Sequence, residues 1–377
     1  MISPIYRHLA VLLLTLPLPC LAGVQELNDA IGRNDYAAAA AETEAIWRNY
    51  DKGRPDAFRI AREFAFVHYM AGDVQTARDY TRYLTGKNAL EMSDDDLPGA
   101  TGALVALVNF GTKPSKRHRG ELFRALRKRV AQPGYDAYTE KALQVLYLHD
   151  WEKGDWHKAA ESSALASRFF SRAGDAAVSL ETEARMISSV SRFLPTRTTE
   201  AYYELVELHN FVTEDIAHLD DPGLQVQLLK QRWTVFAWVR AIEAFYRTYY
   251  GKPGGYRLTE DIDPRPLEMG RYKIMRSPEP EDSRPLCQMD FEYDAPHYPG
   301  LRLYEGFVGV VILMVDFDEE GRAHNGEILA SVPVPSFGKS VLAVVESMHR
   351  IAKPGEDVGK CRVSERDVVI PITFEII

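Results

Sequence analysis

The stretch over residues 307–316 limits the possible folds of this chain more than any other. Of its ten residues only Gly309 and Asp316 are not strongly apolar. A run this short cannot cross a bilayer as a helix, which needs about 20 apolar residues. Its β-branched residues, its glycine and the acidic turn after it favour a strand that protein covers on both faces. One face would carry Val311, Leu313, Val315 and Phe317, and the other Val310, Ile312, Met314 and Asp316.

A helical periodicity governs residues 25–251, where no alternating stretch is long enough for a strand. Four turns in this part share a Gly or Asn that accepts a left-handed cap, an Asp that caps the next helix, and a small residue where two helices touch. They are Asn34-Asp35-Tyr36 before Ala39, Gly72-Asp73-Val74 before Ala77, Gly154-Asp155-Trp156 before Ala159, and Gly174-Asp175-Ala176 before Ser179. The pattern predicts repeated helix pairs.

Residues 65–84 and 143–170 resemble tetratricopeptide repeats, whose helix pairs carry such a turn and such an alanine. Two longer helices, over 199–219 and 224–250, are predicted to follow. The resemblance implies a stacked helical array with a concave protein-binding surface. An all-α bundle that only supports its neighbour is the alternative.

Composition and charge restrict the function classes. With 377 residues, 46% of them hydrophobic and 26% charged, the chain is long enough for about two globular domains. A net charge of −9 argues against nucleic-acid binding. The one strongly basic stretch, 113–129, is interpreted as a solvated helix face, with an anionic partner or lipid as the alternative. The segment 149–157 has the composition of a metal site, but its Gly-Asp turn explains Asp155 as a helix cap.

The first 22 residues have the layout of a secretory signal peptide, with Arg7 near the start and an apolar run from Leu9. We expect cleavage after Ala22 and a periplasmic protein. Retention by residues 9–22 as an inner-membrane anchor is the alternative. Cleavage leaves two cysteines, Cys287 and Cys361, and in an oxidising compartment such a pair predicts one disulfide.

The periodicity changes after a proline-rich segment over 251–286, which has the composition of a linker. Beyond it we predict strands over 322–332 and 367–377 beside the central one, and a helix over 337–351. The predicted organisation is a signal peptide (1–22), a helical repeat domain (23–250), the linker and a terminal domain (287–377). The fold class is thus multidomain, an all-α array followed by a small α+β domain.

Residues 296–377 resemble the carboxy-terminal domain of TonB-type energy transducers. The matching features are Tyr298-Pro299, Gly309, the alternating Val311, Leu313 and Val315, Gly321-Arg322, Ile328-Leu329-Ala330-Ser331, Lys353-Pro354-Gly355, and the closing Ile372, Phe374 and Ile376. The family's tryptophan and aromatic near the end of the helix are replaced by Met348, His349 and Ile351. The resemblance implies three antiparallel strands, a short helix before them and a helix across one sheet face.

The family pairs an edge strand with a short peptide of an outer-membrane transporter, a mode of binding called strand addition. The resemblance therefore implies a non-enzymatic protein-binding protein without a cofactor or an evident small-molecule substrate. The alternatives are a true energy transducer with a retained anchor, and an enzyme whose dispersed site no local motif shows. The predicted docking edge is the last strand, with Asp367, Val368, Val369, Ile370, Ile372 and Phe374.

A rival pattern overlaps the central strand and its turn. Asp316, Asp318, Glu320 and Glu327 fall on ligand positions of a calcium-binding loop, with Gly321 at the position of its glycine. Helices would flank such a loop, whereas strands are predicted here. The hairpin already explains the acidic turn, so we favour the absence of a metal.

Overall fold

A computed structural model describes residues 24–54, 56–86, 99–252, 258, 260–267 and 284–375. The chain divides into two compact units, unit 1 over Met1–Ser188 and unit 2 over Ser189–Ile377. The predicted signal peptide and most of the predicted linker lie outside the described residues. The division falls inside the helix Val178–Thr196, at a position without a boundary signal in the sequence.

Unit 1 consists of helices throughout its described part. They are α1 (Val24–Gly32), α2 (Tyr36–Asn49), α3 (Ala57–Met70), α4 (Val74–Leu84), α5 (Ala100–Thr112), α6 (Lys116–Val130), α7 (Ala137–Glu152), α8 (Trp156–Phe170) and the first part of α9 (Val178–Thr196). Two apolar clusters hold this unit, one centred on α1–α4 and the other on α5–α9.

Three of the four predicted turns are confirmed at atomic detail. Asn34, Gly72 and Gly154 have φ values of 59°, 82° and 67°, the left-handed region that these residue types tolerate. The carboxylates of Asp35, Asp73 and Asp155 accept hydrogen bonds from the backbone N–H three residues ahead, at the first turn of the next helix. The alanines that follow, Ala39, Ala77 and Ala159, are completely buried between helices.

The fourth turn differs. Gly174 has a positive φ of 56°, but Asp175 lies inside a 3₁₀ segment, Ser171–Ala177, and does not cap the next helix. The 3₁₀ turn leads directly into α9, so the connection is tighter than in a helix pair. The prediction of a repeated turn at this position is therefore wrong.

Unit 2 begins with the end of α9 and continues with two helices, α10 (Glu200–Ile216) and α11 (Pro222–Tyr249). Residues 260–267 of the predicted linker form no regular element and contact α10, where the backbone N–H of Arg265 donates to the hydroxyl of Tyr202 at 2.8 Å. The remaining elements are β1 (Met289–Glu292), α12 (Gly300–Tyr304), β2 (Gly309–Phe317), β3 (Ala323–Val332), α13 (Pro335–Leu342), β4 (His349–Ala352) and β5 (Glu365–Phe374).

The main sheet is antiparallel with the strand order β3-β2-β5, so β2 is central. All nine residues of β2 are buried, which confirms the prediction of a strand covered on both faces. Helix α13 covers one face, where Phe337 packs so closely that a Cβ on Gly309 would lie 2.7 Å from its ring. Helix α11 contacts β2, β3 and β5 and covers the other face, where Val310, Ile312 and Met314 are completely buried.

The predicted helix over 337–351 is wrong in its second half. Helix α13 ends at Leu342, and after a 3₁₀ turn the chain continues as β4. Strand β4 pairs with β1 in a separate two-stranded sheet. The local sequence suits a helix, but the ladder with β1 supplies backbone hydrogen bonds that a longer helix would otherwise provide.

A disulfide closes the end of the β1–β4 sheet. Cys287 precedes β1, Cys361 precedes β5, and their Cα atoms are 5.0 Å apart. The backbone N–H of Cys287 also donates to the carbonyl of Arg362 at 3.0 Å. The segment that enters the terminal α+β part is thus fixed to the loop before β5.

Candidate partner-binding edge

Strand β5 lies at an edge of the main sheet. Within the described residues it pairs with β2 alone, from Gly309 opposite Phe374 to Phe317 opposite Glu365. The predicted edge residues occupy two environments. Ile370, Ile372 and Phe374 are buried in the core beneath α13, Asp367 is buried, and Val368 and Val369 are half-buried.

Pro371 fixes which backbone groups face outward. Proline has no N–H, so it fits a ladder only where its nitrogen points away from the neighbouring strand. Pro371 lies opposite Ile312. Since residues alternate along a strand, Val369 and Thr373 also direct their N–H groups to the outer side. The edge therefore offers two donors, with a gap between them at Pro371.

The outer part of β5 is exposed on the face that α11 covers elsewhere. Pro371 and Thr373 are exposed there, whereas Val310 and Ile312 of β2 are buried. Two polar contacts join α11 to the terminal α+β part. Lys230 lies 3.9 Å from Glu327 of β3, and the hydroxyl of Tyr249 donates to the carbonyl of Gly306 at 3.0 Å.

Asp316 anchors a bulge in each neighbouring strand. One carboxylate oxygen accepts a hydrogen bond from the backbone N–H of Asp367 in β5 at 2.9 Å, and the other accepts from the Asn325 side chain in β3 at 3.1 Å. Asn325 and Asp367 have φ values of 55° and 54°, and the strand register shifts beside both. A buried carboxylate at this position therefore sets where β5 begins its regular pairing with β2.

Replacing Asp316 by alanine should lower the free energy of unfolding of unit 2 by about 1–3 kcal/mol, because the buried N–H of Asp367 loses this acceptor. Urea unfolding followed by circular dichroism measures the loss. Glu320→Ala is the matched control, because its carboxylate belongs to the same acidic turn but is 63% exposed. Equal stability of the two variants would contradict the role assigned to Asp316.

The four carboxylates of the calcium pattern do not converge. Asp318 accepts a hydrogen bond from the backbone N–H of Arg322 at 2.7 Å, and Glu320 lies 3.7 Å from the Arg322 guanidinium. Glu327 faces Lys230, and Asp316 binds the two bulges. Strands flank the turn, as a hairpin requires.

Several residues of segment 149–157 have structural partners. The ring of His149 packs edge-on against Phe110, and Trp151 packs against Trp156. Asp150 accepts hydrogen bonds from Arg119 and Ser162. In the described part of the chain, potential metal ligands cluster at Cys287, Glu356 and Cys361. Both sulfur atoms of that cluster are joined in the disulfide, so they cannot act as thiolate ligands in this state.

Strand β5 is held at its start by an ion pair. The Arg350 guanidinium lies 2.9 Å from the carboxylate of Glu365 and also donates to the carbonyl of Val363 at 2.9 Å. The same guanidinium lies over the rings of Phe291 and Phe317. Sequence reasoning missed this residue, since nothing in the local pattern links β4 to β5.

Unit 2 also contains a small, mostly apolar cleft of about 40 Å³ between α11 and the loop before β2. Phe193, Trp238, Ile242 and Phe245 contribute to its lining, and the Arg197 guanidinium lies over the Phe193 and Phe245 rings. Burial raises the pKa of the nearby Tyr298 to about 12, and its hydroxyl donates to the carbonyl of Phe307. This loop is thus held against the core beside the cleft.

No helix among the described residues combines the length and hydrophobicity needed to span a membrane. The alternative anchor over residues 9–22 lies outside that part of the chain. Comparisons with protein-family models, with curated proteins and with solved structures each found no match. The resemblance to TonB-type domains therefore depends on the residues quoted for it alone.

Proposed function

We propose that this protein is a periplasmic, non-enzymatic binding protein whose terminal α+β part is TonB-like and receives a partner peptide by strand addition along β5. The position of β5 at the edge of the sheet, with its outer side exposed at Pro371 and Thr373, is the observation that carries the proposal. An added strand would form backbone hydrogen bonds with Val369 and Thr373. A transporter segment is the kind of partner that the resemblance implies.

Charge indicates the chemistry of the partner. Residues 286–377 contain 8 Lys and Arg against 15 Asp and Glu, a balance of −7. A peptide with basic residues would be steered to this surface, and its binding should weaken as salt is added. The disulfide and the predicted signal peptide support an oxidising compartment.

The helical unit would serve as a second binding surface. Its capped helix pairs α1–α2, α3–α4 and α7–α8 support a tetratricopeptide-like array. Arrays of this kind present extended surfaces to other proteins. The protein would then connect two partners, one on each unit, as a scaffold.

Two substitutions at the edge should change peptide binding in opposite directions. Thr373→Pro removes an outward donor, as Pro371 already does two residues earlier, and should weaken binding about 2- to 12-fold. Pro371→Ala adds a donor and should strengthen binding by a similar factor. The probe is a ten-residue peptide selected by phage display against the full chain, with its affinity measured by fluorescence anisotropy.

Thermal unfolding of both variants serves as the folding control, because neither position donates to β2. Unchanged affinity in both, or the same direction of change in both, would refute strand addition at β5. Strand addition at β5 would also be refuted if none of the selected peptides binds at this edge.

A further inference from the structure

Helix α6 divides its cations between two faces. Arg119 lies 2.7 Å from Asp150, and Arg129 lies 2.9 Å from Asp136 with no exposed surface of its own. These two arginines join Leu122 and Leu126 on the face that packs into unit 1. They are part of the structure of the unit and unavailable to a partner.

The other cations of this basic stretch point to solvent. At 100° per residue, the exposed cations of the helix and Gly120 occupy an arc of about 120° and extend over about 18 Å. The exposed cations are Lys116, Arg117, Arg124, Arg127 and Lys128, with Lys113 just before the helix. We call this surface the cationic face of α6.

Little on the cationic face opposes this charge. Glu121 lies at its margin and pairs with Arg117 at 2.8 Å, while no other cation of the face has an ion-pair partner among the described residues. Gly120 lies within the arc, and a Cβ added there would meet nothing within 4 Å. The face is thus open and almost uniformly positive on a chain with a net charge of −9.

The side chains of the cationic face favour one class of anionic partner. It has no exposed large apolar side chain, and a specific protein interface usually needs such anchors at its centre. Single-stranded nucleic acids stack their bases on exposed aromatic side chains, and the cationic face has none. A bilayer offers mobile anionic headgroups that can match a row of flexible Lys and Arg side chains, each contributing about 1 kcal/mol.

We propose that the cationic face of α6 docks the protein on the surface of an anionic phospholipid bilayer. The headgroup phosphates are the ligands, and the contact is electrostatic without insertion. The inference is independent of the proposed peptide binding, which concerns unit 2.

Vesicle sedimentation tests this docking with the full chain. Vesicles of phosphatidylglycerol and phosphatidylcholine should bind the protein, whereas vesicles of phosphatidylcholine alone should not, and binding should disappear in high salt. The variant K116Q/R124Q/R127Q/K128Q should bind at least about 100-fold more weakly. The control R33Q/R48Q/K153Q/R168Q removes four exposed cations elsewhere in unit 1 and should bind like the unmodified protein.

A pair of single substitutions separates binding from folding. Gly120→Glu and Gly120→Lys should both stabilise the helix slightly, since glycine is a poor helix former. Gly120→Glu should nevertheless weaken vesicle binding, and Gly120→Lys should strengthen it. Equal losses in the two quadruple variants, equal binding to both vesicle types, or tighter binding to a DNA duplex than to anionic vesicles would each overturn the proposal.

Discussion

Replacing Cys287 and Cys361 together by serine is expected to lower the free energy of unfolding of unit 2 by about 4 kcal/mol. The two cysteines are 74 residues apart, so the bridge closes a long loop and removes many conformations from the unfolded chain. Guanidinium unfolding of the oxidised protein and of the double variant measures the difference.

The disulfide also has a local consequence for the candidate edge. It ties the start of β1 to the loop that leads into β5, close to the Arg350–Glu365 ion pair. We therefore expect the double substitution to accelerate amide exchange, relative to the unmodified protein, more in residues 361–368 than in the centre of β2. A reductant provides the control, because it should destabilise the unmodified protein and leave the variant unchanged. Two free thiols in the purified, unfolded protein would contradict the bridge.

Unit 2 is expected to lose stability as the pH falls below 6.5, because of His209. Burial, with a smaller contribution from Arg232 and Arg240, lowers the pKa of His209 from its ordinary value of 6.5 to about 4. The folded state therefore binds fewer protons than the unfolded state between these values. The stabilisation is complete above pH 6.5 and is lost as the pH falls through 4, a total of about 3 kcal/mol.

The variant His209→Phe should remove most of this pH dependence, since the ring is 1% exposed and already packs near Phe236. Comparison of the variant with the unmodified protein at each pH isolates the contribution of His209. This comparison is needed because burial raises the pKa of Glu140 in unit 1 to about 7, so that unit 1 responds in the opposite sense. An unchanged pH profile in the variant would contradict the assignment.

Elements that are formed by residues close together in the sequence can be predicted from the sequence. The left-handed residue, the capping aspartate and the buried alanine of three helix pairs lie within six residues of one another, so short-range sterics and hydrogen bonding decide them. Short-range sterics and hydrogen bonding also determine the hairpin after β2. These features can be recognised in a sequence because no distant residue is needed to form them.

Other elements depended on partners far along the chain. Residues 349–352 form β4 because β1 lies beside them, and β1 follows a segment without any periodic pattern. Asp316 had two possible roles, and only the bulges at Asn325 and Asp367 show which one it has. The sequence of an acidic turn does not show whether its carboxylate binds calcium or accepts hydrogen bonds from neighbouring strands.

One long-range signal was present in the sequence. The second half of α11 is apolar almost all round, and Val235, Phe236, Ala237, Trp238 and Val239 are all buried. A helix of this kind must have partners on more than one side. That signal indicates a second packing partner for α11, although it does not identify the partner as the sheet.

The sequence by itself determined three helix pairs, the central strand with two covered faces and the hairpin, because these follow from periodicity, capping and turn chemistry. The tertiary structure decided that α11 covers the sheet, that β4 pairs with β1, that Asp316 holds two bulges, and that Arg119 and Arg129 are withdrawn from the cationic face of α6. The physical reason is that burial and pairing between distant segments are collective properties of the folded chain, which local patterns do not encode.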